Sequence, residues 1–144
     1  MFERFTEAAR RALFFARLEV SELGGPAIEV EHLLLGIFRA DQGPVPKLLA
    51  AAGVSYSESR AAIQAHDGRR ERLSTSIEIP FTDEAKRVMG SAREEADRLD
   101  HQDIGNEHLL LGILHQESSF AAGLLGSHGM SVETVRESIR NASS

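Results

Sequence analysis

The seven-residue stretch EHLLLGI occurs twice in this sequence, at residues 31–37 and again at residues 107–113. An offset of 76 positions brings the copies into register, and the alignment extends in both directions without a gap. Identical pairs recur on both flanks, among them Phe5-Thr6 with Phe81-Thr82, Ala16-Arg17 with Ala92-Arg93, and Arg60 with Arg136. Self-similarity at one fixed spacing indicates a tandem duplication of a single supersecondary unit.

The repeated unit has the residue pattern of α-helices. After Thr6, apolar residues recur every three or four positions, as on a helix with one buried face: Ala9, Ala12, Leu13, Ala16, Val20 and Leu23. Thr6 and Thr82 are suitable N-caps, and the acids Glu7 and Asp83 after them complement the helix dipole. The sequence therefore predicts a helix that begins after each threonine, the first of which ends at Gly24-Gly25-Pro26.

Three further helices are predicted in each repeat. The second begins at Glu31 and at Glu107; Asn106 is a good N-cap for the latter, whereas Val30 is a poor one. A short third helix is expected near residues 47–52, and a fourth starts at the capping box SYSE, with Ser131 opening its counterpart. We therefore predict an all-α fold, an eight-helix bundle of two pseudo-symmetric four-helix repeats (residues 5–64 and 81–140) joined by a polar linker, residues 66–80.

The leucine run of the second helix is apolar on nearly all sides, which is typical of a buried helix. We therefore predict that residues 33–35 and 109–111 belong to the core. Gly36 and Gly112 interrupt this run at a cost in helix propensity of about 1 kcal/mol each, so we expect them to allow close contact with a neighbouring helix.

Composition disfavours several classes of protein. The 144 residues carry a net charge of −6, which disfavours nucleic-acid binding, and they include no cysteine. The densest basic stretch, GRRER at residues 68–72, is interpreted as a solvated linker. The charged start of the chain does not resemble a signal peptide, and no apolar run approaches the roughly 18 residues of a membrane span. We expect a cytoplasmic protein that is monomeric as an isolated domain and has neither membrane nor nucleic-acid partners.

No catalytic or metal-binding motif is present. The sequence lacks GxxxxGK[ST], GxSxG and HExxH. Adjacent positions on a helix diverge, so Glu31-His32 and Glu107-His108 cannot each chelate one ion, and His32 and His108 are expected to pack or hydrogen-bond beside the leucines. We predict a non-enzymatic protein without cofactor or metal. Glu31 and Glu107 in the first helical turn either compensate the dipole or hold a carboxylate at the rim of a pocket.

Taken together, these segments resemble the Clp N-terminal domain, the amino-terminal module of ClpC- and ClpA-type AAA+ unfoldases. The resemblance is carried by MFERFTEAARRAL, IEVEHLLLGI and LLAAAGV, which return as IPFTDEAKRVM, IGNEHLLLGI and LLGSHGM, and it is strongest to the ClpC type. It covers almost all of residues 1–144 and implies a single domain of eight helices. It also implies that this domain is not catalytic and that it docks protein substrates and adaptors for an ATPase ring that feeds a protease.

The resemblance also implies a ligand. ClpC-type domains recognise phosphoarginine on proteins marked for degradation. Their site includes the glutamate that opens each EH helix and the threonine that opens each repeat, which match Glu31, Glu107, Thr6 and Thr82. One glutamate and one threonine per repeat would give two pseudo-equivalent sites, and hence avidity for multiply marked proteins.

The sequence departs from the family pattern at three points. Val30 stands where threonine is usual, the usual glycine-rich acidic tips are replaced by DQGPVPK and QESSFAAG, and no AAA+ module follows residue 144. The chain is therefore either a piece of a longer unfoldase or a free-standing relative. An alternative function remains open, that of a structural or regulatory homologue that has lost the ligand sites.

Overall fold

The computed structural model describes residues 2–68, 70–71 and 78–143. Within these ranges the chain forms eight α-helices and no β-strand, which confirms the predicted all-α fold. In chain order the helices are α1 (Glu7–Leu23), α2 (Val30–Ala40), α3 (Val45–Ala51), α4 (Tyr56–Asp67), α5 (Asp83–Arg98), α6 (Asn106–His115), α7 (Phe120–Ser127) and α8 (Val132–Ser143).

Side-chain caps fix the starts of four helices at the predicted residues. The hydroxyls of Thr6 and Thr82 accept hydrogen bonds from the amides of Ala9 and Ala85, at 3.0 Å and 3.1 Å. Ser55 and Ser131 cap α4 and α8 in the same way, by accepting from the amides of residues 58 and 134. Each cap satisfies a backbone donor that the helix itself leaves without an acceptor.

The starts of α2 and α6 differ from the prediction. Asn106 is not an N-cap, because Gly105 holds that position and Asn106 is the first helical residue. In both helices a first-turn histidine bonds back to the amide of the N-cap residue: His32 Nδ1 accepts from the amide of Glu29, and His108 Nδ1 accepts from the amide of Gly105, each at 2.9 Å. Both histidines therefore hydrogen-bond beside the leucine run, as expected.

The leucine helices lie at the centre of the molecule. Residues 33–35 and 109–111 are at most 2% exposed, which confirms the predicted core. Gly36 and Gly112 make the close contacts that the sequence predicts. A Cβ atom at Gly36 would lie 2.1 Å from the carbonyl oxygen of Ala12, and one at Gly112 would lie 2.3 Å from that of Val88. Each leucine helix thus packs directly on the backbone of the helix that precedes it.

A backbone exchange joins the two repeats. The amide of Thr6 donates to the carbonyl of Ile104 and the amide of Ile104 to that of Arg4, at 3.0 Å and 2.8 Å. The equivalent pair connects Thr82 to Ile28 and Ile28 to Pro80, at 3.0 Å and 2.7 Å. Each repeat therefore begins against the segment that precedes the leucine helix of the other repeat.

Repeat one buries an ion-pair network that the sequence analysis did not identify. Glu19 is fully buried, and it accepts hydrogen bonds from Arg39 at 3.1 Å, Arg60 at 3.0 Å and the hydroxyl of Tyr56 at 2.5 Å. Burial and the bond to Glu19 raise the pKa of Tyr56 to about 12. The network ties α1 to α2 and α4, so it positions three of the four helices of the repeat.

Repeat two contains the equivalent network at the offset of 76 positions. Glu95, 2% exposed, accepts two hydrogen bonds from Arg136, at 2.9 Å and 2.7 Å, and lies 2.7 Å from His115 Nε2. The hydrogen bond from Arg136 is the main reason that the pKa of Glu95 falls to about 2. Both partners recur at the offset of 76 positions, Glu19 as Glu95 and Arg60 as Arg136. The repeat alignment was therefore the sequence feature from which both networks could have been predicted.

Candidate functional site

The four predicted site residues lie in two places, and each place combines the two repeats. The N-terminus of α1, at Thr6, is hydrogen-bonded to Ile104, three residues before Glu107. The N-terminus of α5, at Thr82, is hydrogen-bonded to Ile28, three residues before Glu31. We call the position of Glu31 and Thr82 site one and that of Glu107 and Thr6 site two.

This arrangement differs from the expectation of one glutamate and one threonine per repeat. Helix α2 packs on the middle of α1, where Gly36 lies against Ala12, and Arg11 of α1 donates to Gln42, just beyond the end of α2, at 2.7 Å. Glu31 lies at the other end of α2, which is about 16 Å long. The structure therefore separates Thr6 from Glu31 and places each threonine near the glutamate of the other repeat.

Site one is strongly acidic. Glu31 occupies the first turn of α2 and is 8% exposed, and oxygen atoms of Glu29, Glu31 and Asp67 all lie within 4.8 Å of one another. Burial raises the pKa of Glu31, and the nearby carboxylates of Glu29, Asp67 and Glu84 raise it further. Three carboxylates this close together favour a cationic group between them, either a metal ion or an organic cation.

The cation beside this cluster is an arginine of the chain itself. Arg70 Nη1 lies 2.5 Å from Glu29 Oε1 and 3.6 Å from Asp67 Oδ2, and the Arg70 side chain is 25% exposed. Its stretch, residues 68–72, was expected to be a solvated linker; at Arg70 that expectation is wrong, because the guanidinium binds the folded domain. Residues 69 and 72 lie outside the described part of the chain.

Histidine does not extend the carboxylate cluster into a mixed ligand set. His32 is fully buried, and its Nδ1 lone pair already accepts the amide hydrogen of Glu29. A neutral imidazole then carries its proton on Nε2 and has no second lone pair to offer a metal. His108 and His115, seven positions apart on α6, do not form a joint metal site, because their ring nitrogens have different partners. His108 Nε2 lies 2.8 Å from His101 Nδ1, and His115 Nε2 lies 2.7 Å from Glu95.

Site two contains the same helix ends with fewer charges. Glu107 lies in the first turn of α6 and is half-buried. At the position equivalent to Glu29 stands Gly105, so the second carboxylate is missing. Asn106 is 3% exposed; its Nδ2 donates to the carbonyl of Ala8 at 3.4 Å, and its Oδ1 has no hydrogen-bond partner among the described residues.

Sequence reasoning missed Glu29, Asp67, Arg70 and Asn106 as neighbours of the two sites. Three of them lie in loops or at the end of a helix, where no periodicity reveals which way a side chain faces. Asn106 was identified, but in the role of a cap. The only available signal for site one was the alternation of acids in the stretch IEVEH.

The sequence matches one known protein family, once in each half of the chain. The Clp repeat (R) N-terminal domain family matches residues 4–90 and again residues 80–144, so the chain belongs to that family. It is 37% identical over 139 residues to the chloroplastic chaperone protein ClpC of Pisum sativum, covering 96% of the chain and 15% of that protein. The ClpA homolog of Guillardia theta, an ATP-dependent Clp protease ATP-binding subunit, is also 37% identical, with 17% of its length covered. The chain thus spans about a sixth of the length of these relatives.

Solved structures agree with this assignment. The N-terminal domain of the chaperone ClpD from Arabidopsis thaliana superimposes with a TM-score of 0.74 at 28% identity, covering 95% of this chain and 92% of that one. The ClpV N-domain in complex with a VipB peptide has the same fold, with a TM-score of 0.74 at 19% identity, covering 94% and 84%. No helix in the described part of the chain has both the length and the apolar content that a membrane crossing requires.

Proposed function

We propose that this chain is a non-catalytic binding module that receives protein clients or adaptors for a Clp-type AAA+ unfoldase. The observation that carries the proposal is the pair of pseudo-equivalent sites, each with a carboxylate in the first turn of a buried helix and a threonine-capped helix N-terminus from the other repeat. The peptide-bound ClpV N-domain supports a role in binding polypeptides, since it shares the fold.

We further propose that the ligand is phosphoarginine on marked proteins. Its guanidinium-type group offers N–H donors that a carboxylate of Glu31 or Glu107 accepts in a bidentate pair. Its phosphate suits the N-terminus of α5 or α1, where first-turn amides lack intrahelical acceptors. The hydroxyls of Thr6 and Thr82 each accept one hydrogen bond within the helix, which leaves their own O–H free to donate to a phosphate oxygen.

Calorimetric titration with a peptide that carries one phosphoarginine tests this proposal. Glu107→Gln should weaken binding roughly ten- to a hundredfold, because a hydrogen bond to a charged group contributes about 1.5–3 kcal/mol. Glu117→Gln is the matched control, since it removes an exposed glutamate just beyond the other end of α6. The same peptide with unmodified arginine should bind far more weakly, because the helix N-terminus then has no anion to bind.

Loss of binding in Glu107→Gln together with unchanged binding in Glu117→Gln would support the ligand assignment. Equal binding by the unmodified chain and the Glu31→Gln, Glu107→Gln double variant would refute it. The glutamates would then serve only the helix dipole, and the alternative would gain: a structural or regulatory homologue without ligand sites. Val30 and the ion pair of Arg70 at site one are the two features that favour this alternative.

A further inference from the structure

We propose that Arg70 fills site one with a guanidinium from the chain itself, so that the domain has one open ligand position, at Glu107 in site two. The inference rests on the proposed function and adds to it. It identifies a residue that determines which of two pseudo-equivalent sites is available, and it predicts a binding stoichiometry of one in place of two.

The first argument is chemical identity. The ligand group that Glu31 would accept is a guanidinium, and Arg70 already places one against the same carboxylate cluster. Its Nη1 contacts Glu29 at 2.5 Å and Asp67 at 3.6 Å, and oxygen atoms of these two residues lie within 4.8 Å of an oxygen of Glu31. A second guanidinium that approached Glu31 would have to share the oxygen atoms of Glu29 and Asp67 with Arg70, or displace it.

The second argument is that the backbone makes room for Arg70. A Cβ atom at Gly24 would lie 2.3 Å from the carbonyl oxygen of Arg70, and one at Gly25 would lie 3.0 Å from its guanidinium carbon. The amide of Gly25 also donates to the carbonyl of Glu71 at 2.9 Å, which holds this part of the chain against the domain. Both glycines have positive φ angles, 87° and 120°, a region that residues with a Cβ rarely adopt.

Repeat two provides the internal comparison. At the position equivalent to Gly25 stands His101, whose Nδ1 lies 2.8 Å from His108 Nε2, so repeat two carries a side chain where repeat one has a glycine against Arg70. Gly105 replaces Glu29, and no arginine or lysine among the described residues forms an ion pair with Glu107. The carboxylate of site two is therefore without an internal guanidinium, and a ligand does not have to displace one.

The test compares the unmodified chain with Arg70→Ala in titrations with the singly phosphoarginylated peptide. We expect one equivalent to bind to the unmodified chain and two to Arg70→Ala, and addition of Glu31→Gln to Arg70→Ala should return the value to one. Lys47→Ala is the control, because it removes an exposed cation on α3 and should leave the stoichiometry at one. Arg70→Gln, which keeps a long side chain without the charge, repeats the comparison if Arg70→Ala weakens folding.

Two equivalents in the unmodified chain, or one in both Arg70 variants, would overturn the role of Arg70 and leave the proposed ligand intact. Absence of binding in every protein would instead refute the phosphoarginine ligand. A second measurement then decides about Arg70: millimolar methylguanidinium should raise the Tm of Arg70→Ala by more degrees than that of the unmodified chain, since only the variant has a vacant guanidinium position. Equal shifts in the two proteins would overturn the inference.

Discussion

Replacement of Glu95 by glutamine removes the charge of a buried carboxylate while keeping its shape. Glu95 is 2% exposed, accepts two hydrogen bonds from Arg136 and lies 2.7 Å from His115 Nε2. Its pKa is lowered to about 2 from an ordinary value of 4.5. One pKa unit corresponds to about 1.4 kcal/mol, so this depression represents roughly 3 kcal/mol of stabilisation at neutral pH. The figure agrees with the roughly 3–5 kcal/mol expected when one partner of a buried ion pair is removed.

The sign of the pH dependence follows from the direction of the shift. A carboxyl group whose pKa is lower in the folded state contributes its full stabilisation above about 4.5, and this contribution is lost as the pH falls toward about 2. Urea denaturation followed by circular dichroism should show Glu95→Gln to be less stable by about 3 kcal/mol at pH 7, with a much smaller difference near pH 2. Glu94→Gln, at an exposed neighbouring position, should cost well under about 1 kcal/mol.

A double variant distinguishes two costs: the loss of the Glu95–Arg136 ion pair, and the burial of the Arg136 charge without a partner. Glu95→Leu combined with Arg136→Leu should be more stable than Glu95→Leu alone, because the single change leaves the Arg136 guanidinium, 18% exposed, without its carboxylate. A loss below about 1 kcal/mol for Glu95→Gln at pH 7, or one that does not shrink in acid, would refute the reasoning.

Three further predictions concern the core and the helix starts. Leu34→Ala and Leu110→Ala should each lower the free energy of unfolding by about 2–5 kcal/mol in urea titrations, because both side chains are fully buried and each change leaves a cavity; a cost near zero would contradict the core assignment. Gly112→Ala should lower the Tm by several degrees in calorimetry, since the new Cβ would meet the carbonyl of Val88, whereas Gly123→Ala, with open space around it, should not. Burial lowers the pKa of His108 in the folded state, so unfolding takes up a proton below about pH 6.5, and stability should fall between pH 7 and pH 5; in His108→Gln that part of the slope should disappear.

The sequence predicted those features that depend on local chemistry or on the repeat. Thr6 and Thr82 cap their helices because a hydroxyl at that position meets the amide three residues on, a relation that lies within a few residues of sequence. The leucine core was predictable for the same reason, because a short helix that is apolar on nearly all sides has no favourable exposed orientation. Both inferences needed no knowledge of how the repeats pack together.

The features that the sequence did not predict depend on contacts between distant segments. Asn106 has the residue type of a cap, but it is the first helical residue of α6, and the side chain that bonds to the backbone at this helix start is that of His108. Arg70 lies in a stretch without periodicity, and its ion pair joins residues 41 positions apart. Because Asn106 is not a cap, the starts of α2 and α6 give no reason to rank Glu107 above Glu31 as a ligand residue; the ion pair of Arg70 at site one gives one.

The exchange between repeats gives a physical reason for the fixed spacing of the duplication. Because Thr6 is joined to the segment before Glu107, and Thr82 to the segment before Glu31, neither repeat contains both halves of a site. A helix N-terminus and a carboxylate face each other only when both copies are present and pack across the pseudo-symmetry axis. An insertion between the start of a repeat and its EH helix would therefore disturb the geometry of both proposed sites at once.

Within each proposed site, by contrast, residues such as Glu29, Gly105 and Arg70 can change independently of the other site. In the arrangement that we propose, the fold keeps both junctions between the repeats, while site two is open to a ligand and Arg70 occupies site one.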